Sequence, residues 1–213
     1  MSRRFFEEDN GLMSLLSQIG DCFYLSLFWI LGCFPVVTVG ASTAALYDAC
    51  YHAFRKGEKT SWHQFLKCYK ENWKTGILPS ILYLAVFAGV GRVMIILWNQ
   101  VAVGAGSWAV FAGGGVAAAL VLGILSVLFP MMSRFDNSVG GLLKNTLLLA
   151  LANLPRTLCL GLLTAASIVF CARLLAPLFF LPALTAAAST FFLEPMFKPY
   201  MPEEPEESEM PLE

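Results

Sequence analysis

Val93–Ser133 reads VMIILWNQVAVGAGSWAVFAGGGVAAALVLGILSVLFPMMS, 41 residues between Arg92 and Arg134 without one charged side chain. A helix of a soluble domain must turn a polar face to water, and this stretch has none to turn. It suffices for most of two crossings, because about 20 apolar residues traverse ~30 Å of hydrocarbon. Asn99–Gly106 is the uncharged turn between them. Further out the pattern repeats. No Asp, Glu, Lys or Arg occurs between Asp21 and Asp48, or from Leu174 to Leu193. Of the 213 residues 57% are hydrophobic and 14% charged, and the mean hydropathy is +0.66. These values place the chain among membrane proteins. A net charge of −1 supplies no general field for nucleic acid.

The expected fold is all-α: a polytopic membrane bundle of about five transmembrane helices with two interfacial amphipathic helices. The spans fall at 12–46, 76–98, 107–132, 155–175 and 177–197, within one transmembrane domain over 1–200. The first is too long for one straight helix and is expected to break at 35–40. Pro35 lacks an amide donor and obstructs the preceding turn, Thr38 can bond freed backbone groups locally, and Gly40 tolerates positive φ. Non-helical backbone there should be packed against protein rather than lipid. Residues 201–213 carry six Glu and form an acidic tail, expected to be disordered and cytoplasmic.

Residues 61–74 are amphipathic. Ser61 and Gln64 form a capping-box pattern. Trp62, Phe65, Tyr69 and Trp73 share one face, while Lys67 and Lys70 take the other. The helix suits the membrane interface, with its basic face in water. A second capped helix comes after Asp136-Asn137-Ser138. Each precedes an apolar hairpin, a weak internal echo.

Six Lys or Arg lie from Arg55 to Lys74, and Arg134, Lys144 and Arg156 flank the second amphipathic helix. The positive-inside rule places both segments in the cytoplasm. Five spans then put the N-terminus outside, with Arg3 and Arg4. If 35–40 turns the chain back, the first span is re-entrant and the N-terminus lies inside. Glu7, Glu8 and Asp9 speak against a cleaved signal peptide.

Asp21, Arg92, Arg173 and Glu194 are ionisable residues at membrane depth, where charge is costly and marks function. With the N-terminus outside, Asp21, Arg92 and Arg173 fall in the outer half and form a candidate polar cluster, with two snorkelling arginines as the plainer reading. Arg134, Asp136 and Asn137 read as a structural corner: Arg134 anchors at the interface and Asp136 or Asn137 caps the next helix. The six cysteines form no CxxC pair, and His52 and His63 with Cys50 and Cys68 fit no zinc spacing. No metal site, cofactor or nucleophile–base–orienter set is expected, so the chain is not read as an enzyme.

Phe28–Tyr47, FWILGCFPVVTVGASTAALY, resembles the N-terminal signature of the YesL family, bacterial integral membrane proteins with a domain of unknown function. Phe65, Asn72-Trp73-Lys74, Arg134-Phe135-Asp136, Leu143-Lys144-Asn145 and Pro155-Arg156-Thr157 extend the resemblance over about residues 5–200. Members of that family are typically encoded in Gram-positive bacteria, often beside carbohydrate ABC transporters. The resemblance therefore implies a multi-pass protein of the cytoplasmic membrane acting near sugar uptake, with no catalytic residues to carry over. The leading expectation is an accessory or scaffold protein whose partners are the lipid bilayer and components of an ABC sugar transporter, or a second copy of itself. A small transporter and a sensor with a basic cytoplasmic helix are the alternatives.

Overall fold

The computed structural model describes residues 18–57, 61–104, 106–135, 138–174 and 176–200. The acidic tail, Asp136 and Asn137, and the N-terminal part of the first span lie outside these residues. Eight α-helices account for nearly all of the described chain. They are α1 (18–32), α2 (Val39–Arg55), α3 (Ser61–Asn72), α4 (Ile77–Ala102), α5 (Trp108–Arg134), α6 (Val139–Ala152), α7 (Leu154–Arg173) and α8 (Leu181–Phe197). Three of them, α4, α5 and α7, are long and apolar enough to cross a membrane. The 17-residue helices α2 and α8 lie at the lower limit for a crossing.

The expected break is present, and it reverses the chain. Helix α1 stops at residue 32, and a 3-10 turn over Val36–Thr38 leads into α2. Contacts then run backwards along α1. A Cβ on Gly32 would meet the Ser42 side chain, the Trp29 indole donates to Thr43 Oγ1 at 3.2 Å, and Leu25 packs in one cluster with Ala45, Ala49 and Cys50. The two helices are antiparallel, so the single broken span expected over 12–46 is a helical hairpin.

Two details of the break differ from expectation. Phe34 is 89% exposed, and Pro35, Val36 and Val37 are exposed as well, so protein does not cover the turn. Thr38 instead ties the turn together from within. Thr38 N–H donates to Pro35 O at 2.8 Å, and the Thr38 hydroxyl lies 2.8 Å from Gly32 O and 2.6 Å from Pro35 O. Gly40 is helical, and the positive-φ glycines among the described residues are Gly57 and Gly104. Gly40 matters for space instead. Its amide donates to Ser80 Oγ at 2.8 Å, and a Cβ would collide with that hydroxyl and with the Phe129 ring. Ser80 in turn donates to Gly76 O at 2.5 Å. The Gly40 backbone of α2 therefore sits directly on the Ser80 side chain of α4.

Helix α3 lies along α2 and is docked rather than loose. Phe65 and Cys68 are buried, and Phe65 packs on Phe28 and Tyr69 with ring centroids 5.9 and 6.2 Å apart. Tyr69 is half-buried, Lys67 and Lys70 are exposed, and Trp62 and Trp73 stay exposed at the two ends. Gln64, read as half of a capping box, donates to Asp48 Oδ2 of α2 at 2.6 Å.

The most extensive helix contact joins α5 to α7. Glycines make it possible: a Cβ on Gly123 would collide with the Thr157 carbonyl, and one on Gly161 with the Ala119 carbonyl. Such approach is how small residues bind helices together in lipid. Helix α6 is capped by Ser138, whose hydroxyl accepts from Gly141 N at 3.3 Å. The cap expected at Asp136 or Asn137 therefore falls to the next residue. Helix α8 is tied to α1 by Ser26, whose hydroxyl accepts the Ala183 amide at 3.2 Å. That amide belongs to the first turn of α8, where no intrahelical acceptor exists.

Candidate functional site

Five helices close a ring of contacts: α2 with α4, α4 with α5, α5 with α7, α7 with α8, and α8 with α2. The ring borders a half-open cavity of about 400 Å³, within the usual range of ligand sites. Its walls are mostly apolar, with the Trp29, Phe87 and Phe129 rings among them, and they carry hydroxyls from four helices. Each of these Ser and Thr hydroxyls lies within hydrogen-bonding reach of a carbonyl on its own helix. Thr43 reaches Val39 O at 2.7 Å, Ser126 Leu122 O at 2.8 Å, Thr164 Leu160 O at 2.8 Å, Ser167 Leu163 O at 2.9 Å, Thr185 Leu181 O at 2.7 Å and Ser189 Ala186 O at 2.6 Å. This back-bonding lets a polar side chain sit in an apolar helix without an unmet donor. Two pairs also meet across helices: Ser126 with Thr164 at 2.8 Å and Ser167 with Thr185 at 2.7 Å.

Tyr47 joins the cavity wall to a charged cluster. Its ring lines the cavity and its hydroxyl donates to Glu194 Oε1 at 2.8 Å. Arg134 Nη2 donates to the same oxygen at 2.9 Å. The side chains of Arg134 and Glu194 are only 14% and 16% exposed. The Arg134 guanidinium also lies 3.6 Å over the Tyr51 ring, and its buried Nε has no hydrogen-bond partner among the described residues. Next to Tyr47 on α2, buried Asp48 accepts from Gln64 and sits 3.8 Å from His52 Nε2. Arg134 is thus a largely buried partner in an ion pair. The pair ties α5 to α8 and, through Tyr47, both to α2. A charge desolvated this far persists only where it is paired and hydrogen-bonded.

The polar cluster expected of Asp21, Arg92 and Arg173 does not assemble in this way. Asp21 sits with Tyr24, Phe28 and Trp62 around a small cleft between α1 and α3. Arg92 on α4 and Arg173 on α7 are exposed, and among the described residues no ion pair joins either to Asp21. The reversal of α1 is the reason, since it carries Asp21 to the start of α3. Among the described residues no three His, Cys, Asp or Glu side chains come together as a metal site. Burial pushes the Cys68 thiol up to about 12, which keeps it protonated and unreactive.

The other conspicuous surface is the outer half of the α4–α5 hairpin. Only 6% of the apolar window of α4 is buried, against 56% for α5, and nothing in 108–118 is buried. Trp98, Trp108 and Phe111 cluster at the hairpin tip, with centroids 5.7 to 6.4 Å apart, as at a membrane interface. Below them Gly89, Gly91, Gly113 and Gly115 face open space.

Residues 22–95 match the family described as "Protein of unknown function, DUF624", the YesL-type family. The match runs from α1 through most of α4. It takes in the reversed hairpin, Gly40, Tyr47, Asp48 and Gln64, and stops short of Arg134, Glu194 and three of the cavity's helices. No curated protein and no solved structure matches the chain.

The sequence singled out Arg134 and Glu194 separately and did not pair them. Tyr47, Asp48, Tyr51 and the cavity hydroxyls were not singled out as site residues. A signal existed for some of them: Asp48 ends a run of 26 uncharged residues, 22–47, and serines and threonines recur inside apolar spans.

Proposed function

We infer that the chain is an accessory protein of the cytoplasmic membrane that binds a partner's transmembrane helix along the outer half of the α4–α5 hairpin. The bareness of that hairpin carries the reading. Lipid alone covers a helix as well as protein does, but it gives no reason for open glycines on both helices. Glycines let a partner backbone approach closely. Arg92, exposed among them, favours a partner with a carboxylate near the same boundary, since a lipid-facing charge is costly even when it snorkels. The resemblance to the YesL family adds the kind of partner, a component of a carbohydrate ABC transporter; a second copy of the chain is the competing occupant. Affinity capture from the native membrane tests this. Gly113→Leu with Gly115→Leu is expected to abolish co-purification of a transporter subunit while the protein itself still accumulates. Undiminished capture would overturn the docking surface.

The reversal of α1 favours a revised topology. With α1–α2 going out and back, the N-terminus joins the basic segments in the cytoplasm, which suits Arg3 and Arg4. Four crossings by α4, α5, α7 and α8 keep the tail inside. Cysteines at Ser2, Lys70 and Ser107, in a cysteine-free background, test it: only the one at Ser107 is expected to label from outside. A transporter is the second reading, favoured by the cavity and by the interrupted α1–α2 hairpin that lines it.

A further inference from the structure

The cavity has a chemistry that docking on the hairpin does not use. Its protons are already spent. In the Ser126–Thr164 and Ser167–Thr185 pairs, two hydroxyl protons serve three contacts, one between the hydroxyls and two to backbone carbonyls. The Trp29 N–H goes to Thr43 and the Tyr47 O–H to Glu194. These walls therefore offer lone pairs, and a ligand must bring the proton. The Tyr83 hydroxyl, which has no hydrogen-bond partner among the described residues, is the phenol left to donate. No charged side chain lines the space. Glu194 lies behind Tyr47 and is matched by Arg134. A phosphate or carboxylate would meet lone pairs with no cation, and an ammonium would meet no carboxylate, so either would be buried unpaired. A free sugar would set many hydroxyls against apolar walls, each unmet one costing about 1–3 kcal/mol.

We propose that the cavity binds a neutral alcohol carried on a single apolar chain. The chain packs against Phe87, Phe129 and Ile168, and the alcohol donates to a wall hydroxyl oxygen and accepts from Tyr83. Two sources share this chemistry: a free long-chain alcohol and a monoglyceride of the bilayer. The site stands apart from the docking surface, and its failure would leave that surface untouched.

The test is thermal unfolding of the full chain in nanodiscs, titrated separately with farnesol and with 1-monooleoylglycerol. A saturable rise in melting temperature with either supports the site, and the active compound identifies the source. Farnesyl methyl ether, which cannot donate, is expected to bind about fivefold more weakly than farnesol, and farnesyl phosphate is expected to have no effect. Ala186→Phe should fill the space and remove the response. Should that variant not fold, Thr164→Val with Thr185→Val keeps the shape, removes two acceptors and is expected to shrink the alcohol-to-ether ratio. No response to either alcohol, an equal response to farnesyl phosphate, or an unchanged ratio in the valine variant overturns the proposal.

Discussion

The two halves of α5 carry the same kind of sequence and lead opposite lives. From Ala119 to Met132 the helix is the centre of the bundle, with Val127, Leu128 and Phe129 almost wholly buried. From Trp108 to Ala118 it touches little beyond α4 and has no buried residue. Both halves are apolar and both contain glycine. In the inner half Gly123 meets the Thr157 carbonyl of α7, and Gly161 of α7 meets the Ala119 carbonyl. In the outer half Gly113 and Gly115 meet nothing, and Gly114 meets only the flexible end of Leu97. In lipid, hydrophobicity does not decide which helix faces pack, because tails are as apolar as leucine. Close backbone approach and polar pairing decide it, and both are confined to the inner half.

That contrast is open to attack at four points. The largest effect is expected from Gly161→Leu, whose side chain has only backbone to displace. It should cost more than about 3 kcal/mol, at or beyond the upper end for overpacking, and the unfolding midpoint in mild detergent should collapse. A variant as stable as the parent would show that the α5–α7 crossing is not held by its glycines. Next is Glu194→Ala, which strands the buried Arg134 guanidinium and is expected to cost about 3 kcal/mol. Replacing both partners, as Arg134→Met with Glu194→Leu, should recover part of that loss, because no lone buried charge remains. A double variant worse than the single would assign the cluster more than a structural tie. Gly40→Ala comes third, at about 1–3 kcal/mol, since Ser80 and Phe129 are side chains that can yield. Gly106→Val, in the turn between α4 and α5, should cost less than Gly40→Val in the same melt. The smallest effect belongs to Gly113→Leu, which is expected to change stability by under about 0.5 kcal/mol; a large loss would mean that the outer half is packed after all.

Much of the architecture was legible in composition and punctuation. The charge gaps give apolar helices, since hydrocarbon leaves no other way to satisfy a single crossing strand of backbone. Pro35 marks the end of α1 within a few residues, because a missing donor and a ring clash act locally. The stripe of Phe65 and Tyr69 against Lys67 and Lys70 gives α3 and its buried face by periodicity alone. The direction of the chain beyond Pro35 was not legible. A turn that goes on and one that goes back use the same residues, and the choice rests on Trp29 finding Thr43 and Leu25 finding Ala45. That choice moved Asp21 from the outer half to the side of Trp62. The pairing of Arg134 with Glu194, 60 residues apart, and the convergence of six hydroxyls on one cavity were likewise decided by tertiary structure. The sequence by itself determined that these chemical groups exist at membrane depth and must be satisfied. Only the packing of the helices determined by what, because in a low dielectric every polar group needs a partner and distance along the chain does not say which is near.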